Sequence, residues 1–143
     1  MEGKIDKLEV FGDDYDTPDG TCIRDYIHVM DVAEAHFAAA RYLHERNLVN
    51  ETSDMYTAEP IFETVNVGTG YGKSVAEMIA IVENVVDTEV PHVVVGRRSG
   101  DTPVSLANPL KAKKLFNREA KRTIMQAVED ARNYLQITKK ISE

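Results

Sequence analysis

The sequence predicts an α/β fold, and three observations lead to that expectation. Short β-rich runs alternate with longer amphipathic stretches, Gly and Asp-Gly turns separate them, and helix-start signals follow the turns. Leu8-Glu9-Val10-Phe11 reads as a strand closed by Gly12, and the turn-rich Asp13–Gly20 stretch ends in Asp19-Gly20, which suits a positive-φ turn. Ile23 to Val29 reads as a second strand. Asp31 is a good N-cap residue, and Val32, Ala35, Ala39, Tyr42 and Leu43 form the apolar stripe of a helix running to about Arg46. Asn47 to Pro60 is polar and reads as a loop. Phe62 to Val67 alternates like a strand, and Gly68-Thr69-Gly70-Tyr71-Gly72 then turns the chain. Ser74 and Glu77 form a capping box for a helix whose buried face is Val75, Met78, Ile79, Val82 and Val86. His92 to Val95 is a further β segment, and Val104 to Ala107 is short and extended. Asn108 or Pro109 opens a basic helix to Leu115, where proline is favoured in the first turn. A last amphipathic helix covers about Thr123 to Gln136 through Ile124, Ala127, Val128, Ala131, Tyr134 and Leu135.

The 143 residues fit one domain, 1–143, large enough for a real core. Lys plus Arg is 17 against 24 Asp plus Glu, a net charge of -7 that argues against a nucleic-acid partner tracking phosphates. The basic cluster Lys111, Lys113, Lys114, Arg118, Lys121 and Arg122 lacks interleaved aromatics and reads as a solvated helix end. One cysteine, Cys22, excludes an internal disulfide. Histidines 28, 36, 44 and 92 contain no i, i+4 zinc pair, so no metal is expected, and core or hydrogen-bonding roles are expected for His28 and Tyr26. No apolar run reaches transmembrane length, and Met1 to Asp6 shows no apolar signal core. A cytoplasmic protein with no membrane partner is the expectation.

Gly68-Thr69-Gly70-Tyr71-Gly72 is not a dinucleotide fingerprint, because Lys73 stands where G-x-G-x-x-G needs its last glycine. Arg24, at the start of the second strand, taken alone reads as a surface arginine paired with a neighbouring aspartate, but it and Arg97-Arg98 with Asp101 also have side chains suited to a binding site. A guanidinium recognises a diphosphate through paired hydrogen bonds, and a carboxylate accepts from vicinal hydroxyls. Adjacent extended residues point to opposite faces, so at most one of Arg97 and Arg98 faces a given ligand.

The run from Asp19 to His36, with Arg24-Asp25-Tyr26-Ile27-His28-Val29 at its centre, resembles the C-terminal lobe of UDP-glucose 4-epimerases, which are extended short-chain dehydrogenases/reductases. Arg97-Arg98-Ser99-Gly100-Asp101 resembles the same lobe, and the likeness covers about residues 8–135. It implies a small mixed α/β substrate-binding lobe without the N-terminal Rossmann unit. It also implies that Arg24 and Arg98 grip the diphosphate of a UDP-sugar, Asp101 accepts from a ribose hydroxyl, and Val10 and Phe11 lie beside the uracil. The residue aligned with Ser105 lines the sugar pocket, where a small side chain leaves room for an N-acetyl group. One departure stands out: Leu115 to Ala120 replaces the Trp- and Pro-containing turn usual in the family.

In the complete family enzyme, NAD takes the C4 hydride while the tyrosine of a Tyr-x-x-x-Lys pair removes the hydroxyl proton. None of the six tyrosines here has a lysine four residues on. The resemblance therefore implies the UDP-sugar-binding portion of an epimerase, catalytically incompetent by itself and binding no NAD alone. It would be a fragment or split subunit that works with a Rossmann-containing N-terminal part or self-associates. A related dehydratase or reductase, and a stand-alone nucleotide-sugar binding module, are the other readings.

Overall fold

The computed structural model describes residues 6–51 and 62–142. Their elements run β1 (Leu8–Phe11), β2 (Ile23–Arg24), α1 (Val29–Glu51), β3 (Lys73–Ser74), α2 (Val75–Val86), β4 (His92–Val95), β5 (Val104–Ser105), α3 (Leu110–Phe116) and α4 (Ile124–Ser142). This is the mixed α/β arrangement the sequence predicts. The strands form two small sheets. β1 and β4 pair in parallel from Leu8↔His92 to Phe11↔Val95. β2 lies between β3, antiparallel with Arg24↔Lys73, and β5, parallel with Arg24↔Ser105.

The described residues hold two apolar clusters, one between a helix and a sheet and one between two helices. Val10, Ile79 and Val90 are buried together, with Val75 and Val82 packed against them, so α2 covers the β1–β4 pair. Ala38, Ala112 and Phe116 join α1 to α3, and the Tyr42 and Phe116 rings meet edge-on at 5.5 Å. α2 is well specified at both ends. The Ser74 hydroxyl accepts from Glu77 N at 3.0 Å while the Glu77 carboxylate accepts from Ser74 N at 2.8 Å. Asp87 closes the helix in the left-handed conformation at φ 54°, and Arg132 of α4 donates to the Val85 carbonyl at 2.6 Å. α4 begins with a second reciprocal cap, in which Gln126 Oε1 accepts from Thr123 N at 2.8 Å and Thr123 Oγ1 accepts from Gln126 N at 3.2 Å.

Several elements differ from the sequence expectation, for reasons the hydrogen bonds make plain. β2 stops after Arg24 instead of continuing to Val29, because Asp25 turns its carboxylate away to the 69–70 loop. α1 opens at Val29, two residues before the expected cap, because His28 does the capping: its Nδ1 accepts from Met30 N at 3.0 Å. Asp31 is not a cap but a buried ion-pair partner. Its Oδ1 accepts from Arg122 Nη1 at 2.6 Å, and its Oδ2 accepts from the Lys121 and Arg122 amides. α1 continues to Glu51, so the helix takes in the start of the expected 47–60 loop; 52–60 lie outside the described residues. The described residues 62–67 form no strand, since no strand among the described residues pairs with them, and Phe62 stands 87% exposed. α4 runs to Ser142, past the expected end near Gln136.

His28 is buried and its Nε2 lies 3.0 Å from Asp130 Oδ2, so it pins α4 to the start of α1, in keeping with a hydrogen-bonding role. Lys111, Lys113, Arg118 and Arg122 of the basic cluster each pair with a carboxylate. Large apolar side chains remain outside: Val29 and Phe37 on α1 are 73% and 72% exposed, and Tyr134, Ile137 and Ile141 line a bare side of α4. Among the described residues no helix is long and apolar enough to cross a membrane.

Burial pushes the Asp31 carboxyl up, but the hydrogen bonds from Arg122 and Lys121 outweigh it and hold the group below the ordinary aspartate value. A depressed carboxyl contributes stability above its unfolded pKa of about 3.9 and loses it as pH falls through the folded value. Asp31→Asn should therefore lower unfolding stability at pH 7 by about 1–3 kcal/mol. The gap to the parent protein, followed by urea denaturation, should narrow below about pH 4. A gap that stays constant down to pH 2.5 would contradict the ionic role.

Candidate functional site

β2 and β5 run side by side, so Arg24 is in register with Ser105. The Arg24 guanidinium reaches across this edge: Nη1 donates to the carbonyls of Ile23 and Thr102, both at 2.8 Å. Its Nη2 lies 3.8 Å from Asp101 Oδ1. Arg98 Nη2 donates to that same oxygen at 3.0 Å, and the Arg98 guanidinium sits 5.3 Å from the centroid of the Phe11 ring. Two guanidiniums thus share one carboxylate oxygen, leaving a net positive spot on an acidic protein. Arg98 is the more open of the two, with its side chain 65% exposed against 28% for Arg24. The hydrogen bond to Asp101 raises the Arg98 pKa further above its ordinary value.

The structure brings Phe11, Arg24, Arg98 and Asp101 together and sets Ser105 beside Arg24. Val10 stands apart from that group in one respect: its side chain is buried against Ile79 and Val90, so it presents no side-chain surface to a ligand. β1 donates towards β4 through Leu8 N and Gly12 N, at 2.8 Å to Pro91 and 2.9 Å to Val95. By the alternation of a strand, the Phe11 N–H and C=O point to the opposite edge, which has no strand partner among the described residues. Arg97 and Arg98 diverge as expected. Arg97 Nε meets Asp14 Oδ1 at 2.6 Å, and its guanidinium lies 4.2 Å over the Tyr15 ring.

The glycine loop before α2 is organised by packing and by an internal anion. Asp25 accepts from Thr69 N at 3.0 Å, Thr69 Oγ1 at 2.6 Å and Gly70 N at 2.9 Å. Burial pushes the Asp25 carboxyl up, and these bonds, with one from the Ala107 amide, outweigh it and lower the pKa. A Cβ at Gly72 would come within 2.3 Å of Ile23 Cγ2, and one at Gly68 within 2.5 Å of the Ala107 Cβ. The glycines are there so that β2, β5 and the loop can touch. Amides already occupied by Asp25 do not fit a dinucleotide phosphate.

The comparisons with known proteins agree with the fold. The chain is 43% identical to the UDP-glucose 4-epimerase of Bacillus subtilis over 129 residues, which is 90% of this chain and 34% of the relative. It superposes on the crystal structure of UDP-glucose 4-epimerase from Stenotrophomonas maltophila, solved with bound NAD and formylated UDP-arabinopyranose. The TM-score is 0.79 at 35% identity, covering 96% of this chain and 37% of that one. The chain matches the C-terminal part of UDP-glucose 4-epimerases. The epimerase of Bifidobacterium longum, in complex with NAD+ and UDP, gives a TM-score of 0.74 at 35% identity over 89% of this chain. The chain spans about a third of the length of the epimerases it matches. No protein-family model matches it.

Four residues that shape the site are not singled out by the sequence. Asp25 lies next to Arg24 in the quoted motif, yet its bond to the 69–70 loop needs a contact far along the chain that no spacing rule predicts. Asp14 and Tyr15 lay hidden in a turn-rich stretch. The Asp19 carboxylate, 2.5 Å from Ser74 Oγ, links the Asp-Gly turn to the α2 cap, and only the turn itself was visible in sequence.

Proposed function

We propose that this chain is the UDP-sugar-binding portion of a UDP-glucose 4-epimerase, the enzyme type that interconverts UDP-glucose and UDP-galactose. The observation that carries this reading is the meeting of Arg24 and Arg98 on Asp101 Oδ1, which forms a cationic pair on a chain of net charge -7. Arg24 and Arg98 grip the diphosphate, and Asp101 accepts from a ribose hydroxyl. The open edge at Phe11 supports a backbone role beside the uracil for that residue, with the Phe11 ring also stacking under Arg98. Val10 contributes through the core that holds β1 in line rather than through its side chain.

NAD, bound in the solved epimerases of Stenotrophomonas maltophila and Bifidobacterium longum, is assigned here to the remaining two thirds of such an enzyme. The Gly68–Gly72 loop does not fit it, and no tyrosine of this chain has a lysine four residues on. The exposed apolar side chains of α1 favour a Rossmann-containing partner region over the stand-alone binding module. Mixing this chain with a protein portion carrying the glycine-rich unit and Tyr-x-x-x-Lys, in the presence of NAD and UDP-galactose, should produce UDP-glucose. Absence of turnover in a mixture shown to form a complex would favour the binding module.

Calorimetric titration with UDP tests the site directly. Arg24→Ala and Arg98→Ala should each weaken binding about 10- to 100-fold, the worth of a charge-assisted hydrogen bond lost from a partly enclosed site. Because Arg24 also ties β2 to the Thr102 carbonyl, Arg98→Ala is the cleaner variant. Unchanged affinity in both would refute the diphosphate clamp. Ser105, beside Arg24 on β5, is small enough to admit UDP-N-acetylhexosamines along with the unsubstituted hexoses. Ser105→Tyr should weaken the N-acetyl ligands selectively; equal effects on both ligand classes would remove Ser105 from the sugar pocket.

A further inference from the structure

We infer that Arg97 is a positioning residue for the diphosphate site, holding the loop between β4 and Asp101 so that Arg98 stands where it meets Arg24; this rests on the UDP-sugar reading above. The loop's other ties lie at its far end, where Asp101 N donates to the Arg98 carbonyl at 3.2 Å and the Asp101 carboxylate meets Arg98 and Arg24. A Cβ added at Gly96 or at Gly100 would meet nothing within 4 Å, and Gly100 sits at φ +88°. Between these two open glycines, Arg97 makes a three-point attachment to the segment after β1. Its Nε binds Asp14 Oδ1 at 2.6 Å, its Nη2 donates to the Asp14 carbonyl, and its guanidinium lies 4.2 Å over the Tyr15 ring.

The receiving side is rigid. The Tyr15 ring is buried, and Tyr15 N donates to the Gly20 carbonyl at 2.9 Å, closing the turn. Gly12 leaves the space in which ring and arginine stem meet: a Cβ there would come within 2.7 Å of Tyr15 Cε2 and 2.8 Å of Arg97 Cγ. Gly12 also stands at φ +84° and donates to the Val95 carbonyl at 2.9 Å, which fixes it to the end of β4. The two adjacent arginines therefore divide their work. Arg97 clasps Asp14 and Tyr15, and its neighbour is thereby set over Phe11 and against Asp101. An exposed ion pair contributes little to global stability, so removing the clasp acts on loop order and on ligand affinity.

Two measurements on the full chain test this. The first is the amide ¹⁵N heteronuclear NOE of Ser99, Gly100 and Asp101 in the parent protein, Arg97→Ala and Arg98→Ala. Arg97→Ala should lower it across the loop, and by more than Arg98→Ala, which removes only the bond to Asp101 and the contact with Phe11. The second is UDP titration of both single variants and the double variant. Arg97→Ala should weaken UDP on the order of tenfold, since a misplaced guanidinium forfeits most of its charge-assisted bond. In the Arg98→Ala background it should cost nothing more, because it acts only through Arg98. Losses that multiply in the double variant would mark Arg97 as a direct ligand contact and overturn the inference, as would an unchanged NOE. Parent-like affinity in Arg97→Ala beside a weakened Arg98→Ala overturns the clasp alone, whereas parent-like affinity in Arg98→Ala overturns the diphosphate reading and the clasp with it. Asp14→Asn removes the same ion pair from the other side and carries the comparison if Arg97→Ala does not fold.

Discussion

Asp25 follows Arg24 directly and turns its carboxylate into the glycine loop, where it receives the Thr69 and Gly70 amides and the Thr69 hydroxyl. A two-residue strand cannot hold its own position, because its ladder offers too few bonds to offset the order it imposes. β2 is held instead by what surrounds it: Asp25 on one side, the Pro103 carbonyl accepting from Ile23 N at 2.8 Å, and the Cys22 carbonyl accepting from Val75 N at 3.1 Å. With β2 fixed, Arg24 faces Asp101 and Ser105. Every proposed ligand contact from the first half of the chain except those of β1 depends on that constraint.

The wider pattern is a fold tied by inward-turned aspartates because its apolar clusters are small. Asp19 joins the Asp-Gly turn to the α2 cap, Asp25 joins β2 to the glycine loop, and Asp31 joins α1 to the segment before α4. Each accepts several hydrogen bonds and so remains charged despite its surroundings. This also explains how an acidic chain builds a cationic site. Several of its carboxylates face inward to backbone amides or to arginines in structural pairs, and the two arginines at Asp101 share one oxygen between them.

What could be read from the sequence followed the range of each signal. The Ser74–Glu77 cap, the α2 stripe and the Leu8–Phe11 strand depend on neighbours within one turn or one strand, and each is found where expected. Arg24, Arg98 and Asp101 were visible as a group because their wording resembles a family, and the fold brings them together. The errors came where a distant partner overrode a local preference. Asp31 has the chemistry of a cap but finds Arg122, and His28, with no special cap propensity, takes the position. Residues 62–67 alternate like a strand, yet alternation forms no ladder without a neighbour to receive its amides. The Arg97 clasp was unreadable for a similar reason, since nothing local links a turn tyrosine to an arginine beyond the fourth strand.

The bare flank of β1 bears on how this protein behaves in solution. A sheet edge that pairs with no strand among the described residues, in a protein whose α1 shows Phe37 and Val29 to water, can be joined by another extended chain. What keeps such surfaces apart is mutual repulsion, and here that is the excess of acidic side chains, which vanishes at the sequence pI of about 5.1. Repulsion between copies of this chain is therefore weakest at mildly acidic pH, while the lowered pKa values of Asp19, Asp25 and Asp31 favour their charged, hydrogen-bonded forms there.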